Sequence, residues 1–340
     1  MADIQKLSPI KQKLLDYLKN NPQSSVIKMT RGFEISKQAM HKHLSELISF
    51  NLIFKQGLPP KVFYSAVDST SSAKNVAEYV LGLSTGLVNL TNFTVISSSG
   101  VKSSGVSAFL NWCLERKFDY IKYLEIYQVT LKKYEIYYSD GLIDATNKVR
   151  GLFKEECYID SCYYASFSAI EIFGKTGIYA QMLYAKQSGN RANMVEIFPE
   201  IKQKILKLIL DKNIQAVGFI PPTVTRKVQL MTELENYLAI SLPKVKITKI
   251  KYEYTVPQKT LTQPKDRIEN AKNTFVVESV PSVDQVLLID DFVGSGSSFN
   301  YVAQKIKLKH GSNVICFAIA GTPNGVINQN VKQFEVINEA

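Results

Sequence analysis

Residues 286–300, VLLIDDFVGSGSSFN, run an apolar stretch into two adjacent acids and then into a turn of glycine and serine. The apolar run 286–289, bounded by turn residues, predicts a buried strand. Gly294, Ser295, Gly296, Ser297 and Ser298 lead straight into SSFNYVAQKIKLK, which predicts a helix. Glycine lets the backbone approach an anion, serine hydroxyls and successive N–H groups donate to it, and the helix N-terminus adds a favourable dipole. Two carboxylates just upstream would repel a phosphate unless they face groups that want acceptors, such as sugar hydroxyls or Mg²⁺. A phosphorylated ribose meets both demands, with its phosphate in the 293–298 turn and its hydroxyls at Asp290 and Asp291. The plainer alternative is a capped turn between strand and helix.

Outward from this stretch, residues 200–320 alternate helix and strand: EIKQKILKLILDK, IQAVGFI, KVQLMTELENYLA, VKITKI, QVLLI, the helix just named, and NVICFAIA. Alternation of this kind predicts an α/β fold with a parallel sheet, and such sheets bind ligands at the carboxyl ends of their strands. The order of apolar strand, two acids, two apolar residues and small residues around glycine resembles the phosphoribosyl diphosphate (PRPP) signature of type I phosphoribosyltransferases. It departs at Phe292, bulkier than the usual aliphatic residue, and at Gly294, where a hydroxyl or small aliphatic residue is common. IPPTVTRKVQ (220–229) and PQKTLTQPKDRIENAKNTFVV (257–277) resemble the ComF-like branch of that family, with Gln258, Leu261, Arg267, Asn270 and Phe275 at the places of its mobile loop.

The resemblance covers about residues 175–325, and the zinc-binding start common in ComF-like proteins is absent. It implies a glycosyl transfer from PRPP with Mg²⁺ bridging diphosphate and ribose oxygens. Asp290 and Asp291 would meet the ribose, Val293 to Ser298 the 5′-phosphate, and Pro222, Thr223, Arg226 and Lys227 the diphosphate. Lys259, Lys265 and Arg267 would close over the leaving group. For each lysine singly, ordinary solvation is the competing reading.

The first 67 residues carry ten Lys and Arg against four Asp and Glu, in a chain of 340 residues with formal net charge +11. SPIKQKLLDYLKNN (8–21) places Ile10, Leu14, Leu15 and Leu18 at helical spacing behind a Ser8–Pro9 start. Residues 24–31 predict a short helix, and a third follows, capped by Ser36, with Met40, Leu44, Leu47 and Ile48 on one stripe. LIFKQG and KVFYSAV predict a two-stranded wing. This order resembles a winged helix-turn-helix, which implies a DNA-reading face of Ser36, Lys37, Gln38, His41 and Lys42, with Lys55 and Lys61 on the wing near phosphates. A docking or dimerisation module is the other reading.

VDSTSSAK (67–74) predicts a linker, so the expected domains are 1–67, a mixed middle region 75–174, and 175–330 as the phosphoribosyltransferase-like part. In the middle, SAFLNWCLERKF and ATNKVRGLFKEE predict helices, and IYQVTLKKYEIYYSD (126–140) has strand-like composition. SSSGVKSSG (97–105) suits a phosphate loop or, more simply, a flexible connection. The tyrosines of 120–184 suit a stacking surface for single-stranded nucleic acid, a core, or a homo-oligomer interface. Cys113, Cys157, Cys162 and Cys316 lack metal spacing and predict buried thiols. With 45% hydrophobic and 21% charged residues and no apolar run of membrane length, a globular chain of bacterial, cytoplasmic type is expected.

Domain order resembles effectors of retron anti-phage systems, which pair with a reverse transcriptase and its DNA–RNA product. That resemblance implies a toxin acting on nucleotides or nucleic acid, with double-stranded DNA or the retron product on the basic face. The alternative is a transcriptional regulator that senses PRPP without catalysis, as purine repressors do. A plain salvage enzyme would leave the N-terminal segment unexplained.

Overall fold

The computed structural model describes residues 7–49, 52–56, 60–66, 90, 92–97, 100–222, 224, 226–250, 274–324 and 326. The chain divides into two compact units, Met1–Val88 and Asn89–Ala340.

In the first unit, α1 (Pro9–Asn20), α2 (Val26–Phe33) and α3 (Lys37–Ser49) precede an antiparallel pair, β1 (Ile53–Gln56) and β2 (Phe63–Ala66). Leu14, Leu18, Met29, Met40, Leu44 and Tyr64 close one core, and each such side chain contributes about 1.5–3 kcal/mol through burial. The expected stripe of α3 is buried at Met40, Leu44 and Leu47, with Ile48 partly so. Ser36 caps that helix by accepting from the Ala39 N–H at 3.2 Å. Ser8 does not cap α1; its side chain accepts no N–H of the helix start, which relies on Pro9 instead. A backbone pair between Ser24 and Tyr64 ties the start of α2 to β2.

The second unit is mixed α/β. Its six-stranded sheet contains β5 (Tyr138–Ser139), β6 (Leu142–Asp144), β7 (Ser161–Phe167), β8 (Ala216–Phe219), β11 (Gln285–Val293) and β12 (Asn313–Gly321), in the spatial order β5-β6-β7-β12-β11-β8. β7, β12, β11 and β8 run parallel, and β5 and β6 add antiparallel edges. Val286, Leu287, Leu288 and Ile289 are all wholly buried, as expected of a central strand covered on both faces. Leu287 and Ile289 share a core with Phe198, Ile201 and Ile205 of a long helix, Phe198–Asp211. The 245–250 strand forms as β9 (Lys246–Lys249), but it pairs antiparallel with β10 (Phe275–Ser279) beside the main sheet.

The middle region holds one correction and two additions. β7 pairs with β12 and β6 with β7, so β5, β6 and β7, from the expected 75–174 region, share one sheet with β8, β11 and β12. Residues 126–135 are helical, within Tyr120–Glu135, because Leu124, Tyr127, Thr130 and Tyr134 bury one helical face behind an Asp119 cap; spacing outweighs aromatic content. Thr94–Ile96 and Lys102–Ser104 pair antiparallel as β3 and β4, so residues 102–104 of the 97–105 stretch are strand, while residues 98 and 99 lie outside the described residues. Among the described residues, no helix is long and apolar enough to cross a membrane.

Candidate functional site

On the β8 side, β11 is paired only as far as Ile289 opposite Phe219; on the β12 side it continues to Val293 opposite Gly321. The acids therefore lie within the strand's last residues, where one neighbour has ended. An opening results, a cleft of about 420 Å³ at the carboxyl ends of β8 and β11, inside the range of small-molecule sites. Its walls are the 290–299 segment, the turn carrying Pro222 and Arg226, and the helix Gly177–Ser188, which presents Tyr179 and Lys186.

Gly296 takes φ +82° and starts the 14-residue helix Ser297–His310. A side chain there would crowd Val149, whose Cγ atoms lie 3.1 and 3.2 Å from where a Cβ would stand. The Ser295 and Ser297 hydroxyls meet at 2.7 Å, and the Ser297 N–H reaches Ser295 Oγ at 3.3 Å. The amides of Ser298 and Phe299 lie ahead of the first intrahelical bond, Asn300 N–H to the Gly296 carbonyl at 2.9 Å, and helix-start amides of this kind suit an anion. Asn300 anchors the helix from below: wholly buried, it accepts the Tyr158 N–H at 2.8 Å and donates to the Glu156 carbonyl at 2.9 Å. At Gly294 a Cβ would meet only Phe292, at 3.7 Å, an ordinary contact, so a small side chain would fit there.

Asp291 is buried and ion-paired with Lys186. Asp290 accepts the Asp291 N–H at 2.7 Å. Burial raises the Asp290 carboxyl well above the usual carboxylate range, and the adjacent Asp291 charge adds to the rise; the Asp291 N–H, Lys186 and Lys249 oppose it. Burial likewise lowers the Lys249 ammonium, with the Asp290 charge opposing. Phe292 packs against Tyr179 with ring centroids 5.5 Å apart, forming an apolar wall beside the acids.

Asp290, Asp291, Pro222, Arg226 and all of Val293, Gly294, Ser295, Gly296, Ser297 and Ser298 line this one cleft. Lys227 is exposed and is not part of its lining. Thr223, Lys259, Lys265 and Arg267 lie outside the described residues. Lys186, Lys249 and Tyr179 were not expected. Lys249 ends the strand just before the 257–277 segment, a position that alternation along β9 could have flagged; Lys186 had no such signal. In the first unit, Ser36, Lys37, Gln38, His41 and Lys42 are all exposed along α3 and its cap, as are Lys55 and Lys61.

Among the described residues, no group of three His, Cys, Asp or Glu side chains could hold a metal ion. Two adjacent carboxylates are nonetheless the donor number with which Mg²⁺ usually joins a protein when substrate phosphates complete its shell. No protein-family model matches the chain, and no curated protein matches it.

Proposed function

We propose that the cleft binds a phosphorylated ribose of the PRPP class and that the first unit is a winged helix-turn-helix that holds nucleic acid, making the chain a nucleic-acid-associated effector with a phosphoribosyltransferase-like site. The observation that carries the cleft reading is the convergence of Asp290, Asp291, Arg226 and the open helix start at 296–299 on one opening. The 5′-phosphate takes the Ser298 and Phe299 amides with the Ser295 and Ser297 hydroxyls. Ribose hydroxyls donate to the two carboxylates, and Arg226 faces the diphosphate. Asp290 and Asp291 would hold a Mg²⁺ arriving with the diphosphate, which would supply neutralisation of the leaving group's charge. In transfer, the bond from C1 to the diphosphate oxygen breaks while a nitrogen nucleophile or water bonds to C1, and Phe292 and Tyr179 keep bulk water from that face.

The Lys186–Asp291 ion pair favours a second reading, a sensor that binds PRPP without turnover, because one of the two acids is already engaged. Order of the units supports a retron effector with a reverse transcriptase as partner, a proposal tested by asking which nucleic acid and which polypeptide co-purify with the chain.

The direct test of the cleft is calorimetry with PRPP and Mg²⁺. Asp290→Ala with Asp291→Ala is expected to abolish binding while leaving nucleic-acid binding intact; unchanged PRPP affinity refutes the site. Lys37→Glu with Lys42→Glu is expected to weaken duplex DNA binding and reduce the slope of log affinity against log salt by about 2. An unaffected salt titration would count against α3 as the contacting helix.

A further inference from the structure

Lys148 is a half-buried lysine on the helix Thr146–Phe153. Its ammonium donates to the Thr322 carbonyl at 2.9 Å and to the Thr322 hydroxyl at 2.5 Å, just past the carboxyl end of β12. The Tyr164 hydroxyl donates to the same carbonyl at 3.1 Å. Thr322 in turn donates its N–H to the Val293 carbonyl at 3.2 Å. Lys148 thus reaches, through one residue, the first position of the turn from which the cleft helix starts. Its neighbour Val149 touches the middle of that turn, with its Cγ atoms packed where a Cβ on Gly296 would stand. Consecutive residues of one short helix therefore brace the 293–298 turn at two points. The helix is itself pinned: the Thr146 hydroxyl accepts the Cys162 N–H at 3.0 Å, and Asp144 accepts the Thr146 N–H at 2.8 Å.

Bracing alone does not account for the charge on Lys148, because a neutral amine also keeps two N–H donors for Thr322. Among the described residues Lys148 pairs with no carboxylate. The nearest acid in sequence, Asp144, is exposed and engaged by Thr146, and Arg150 of the same helix turns to the Asp160 carbonyl. The titratable groups that face Lys148 are Cys162 and Tyr164 of β7. Burial pushes the Cys162 thiol up to about 12 and raises the Tyr164 hydroxyl above its usual range, so neither is negative at neutral pH. Burial lowers the Lys148 ammonium itself to about 8, as expected of a desolvated cation without a counter-charge. An anion on the braced turn would supply one.

We propose that Lys148 is a positioning residue for the anion-binding turn: it fixes Val293 through Thr322, and its positive charge strengthens the hold on a phosphate seated there. This inference rests on the reading of the cleft as a phosphate site. The charge is present below about 8 and is lost as pH rises through that value, so phosphate binding weakens across that window. Stability of the free chain runs the other way, since the unfolded lysine holds its proton more tightly than the folded one.

Sulfate, a dianion throughout this range, probes the turn, and PRPP probes the whole cleft. Calorimetry on the full chain is expected to show sulfate bound about fivefold or more weakly at about pH 9 than at about pH 7. Lys148→Met should bind sulfate and PRPP about fivefold or more weakly at about pH 7, with no further loss at about pH 9. Lys148→Arg, which stays charged at both, should keep the affinity and lose the pH step. The melting temperature of Lys148→Met should stay within about 2–4 °C of the parent; a lysine kept for structure alone would lose stability and leave affinity unchanged. Lys249, also lowered by burial, stands beside Asp290, and a pH step that persists in Lys148→Met would belong there and overturn the proposal. Parent-like affinity in Lys148→Met overturns it too, while leaving the cleft reading in place. If the parent binds sulfate with the expected step but not PRPP, the role of Lys148 holds and the sugar-phosphate reading fails; if it binds neither anion, both fall.

Discussion

Lys186→Met deletes the ammonium that faces Asp291 while keeping an apolar stem of similar length. The two side chains are 28% and 11% exposed. That places the pair between a surface ion pair, worth up to about 1 kcal/mol, and a buried one, whose one-sided loss costs about 3–5 kcal/mol. A loss of about 2 kcal/mol is expected, which for a unit of this size is roughly 4–8 °C in Tm. The cost arises because Asp291 would remain in place, unpaired, beside a second acid. Adding Asp291→Asn removes the orphaned charge, so the double variant should recover most of the loss. Urea unfolding followed by Trp112 emission is the assay, because the single tryptophan lies in the Asn89–Ala340 unit and reports on that unit's unfolding. If Lys186→Met falls within about 0.5 kcal/mol of the parent, the changes expected of an ordinary surface site, or if the double variant is no better than the single, the electrostatic account of the cleft is wrong.

Asp290 gives a pH signature. Between the usual carboxylate range and its raised one, the folded chain keeps a proton that the unfolded chain has released, so stability falls as pH rises through that window. Asp290→Asn cannot ionise; it should flatten this dependence and stabilise the unit at neutral pH by about 0.5–2 kcal/mol, while weakening PRPP binding. Denaturation curves across pH with an unaltered slope would dismiss the idea. Gly296→Ala forces a Cβ onto a left-handed residue and against Val149, for an expected cost of about 2–4 kcal/mol and loss of sugar-phosphate binding. Val149→Ala in the same chain should relieve the contact but not the backbone strain, so only partial recovery is expected in a thermal melt; full recovery would mean that φ at Gly296 does not matter.

The strand, turn and helix of residues 286–300 were legible because every device that shapes them is local: an apolar run, a glycine at the left-handed position, and serines at a helix start. The same holds for α3, whose Ser36 cap and Met40, Leu44 and Leu47 stripe sit within one stretch. Residues 126–135 misled because tyrosine and β-branched content suggested a strand, whereas the burial of Leu124, Tyr127, Thr130 and Tyr134 on one helical face decided otherwise. The Asn300 anchor, which fixes the cleft helix, ties it to backbone near residue 157 and had no pattern of its own.

The amino-acid order alone determined where a glycine turn would lead into a helix start and which acids would stand beside it, since those properties depend on neighbours a few bonds away. Only the folded chain decided that Lys186, 105 positions from Asp291, would neutralise it, and that β5, β6 and β7 would complete the sheet. Charge pairing and enclosure depend on distance in space, and chain separation carries no information about that until the sheet has formed.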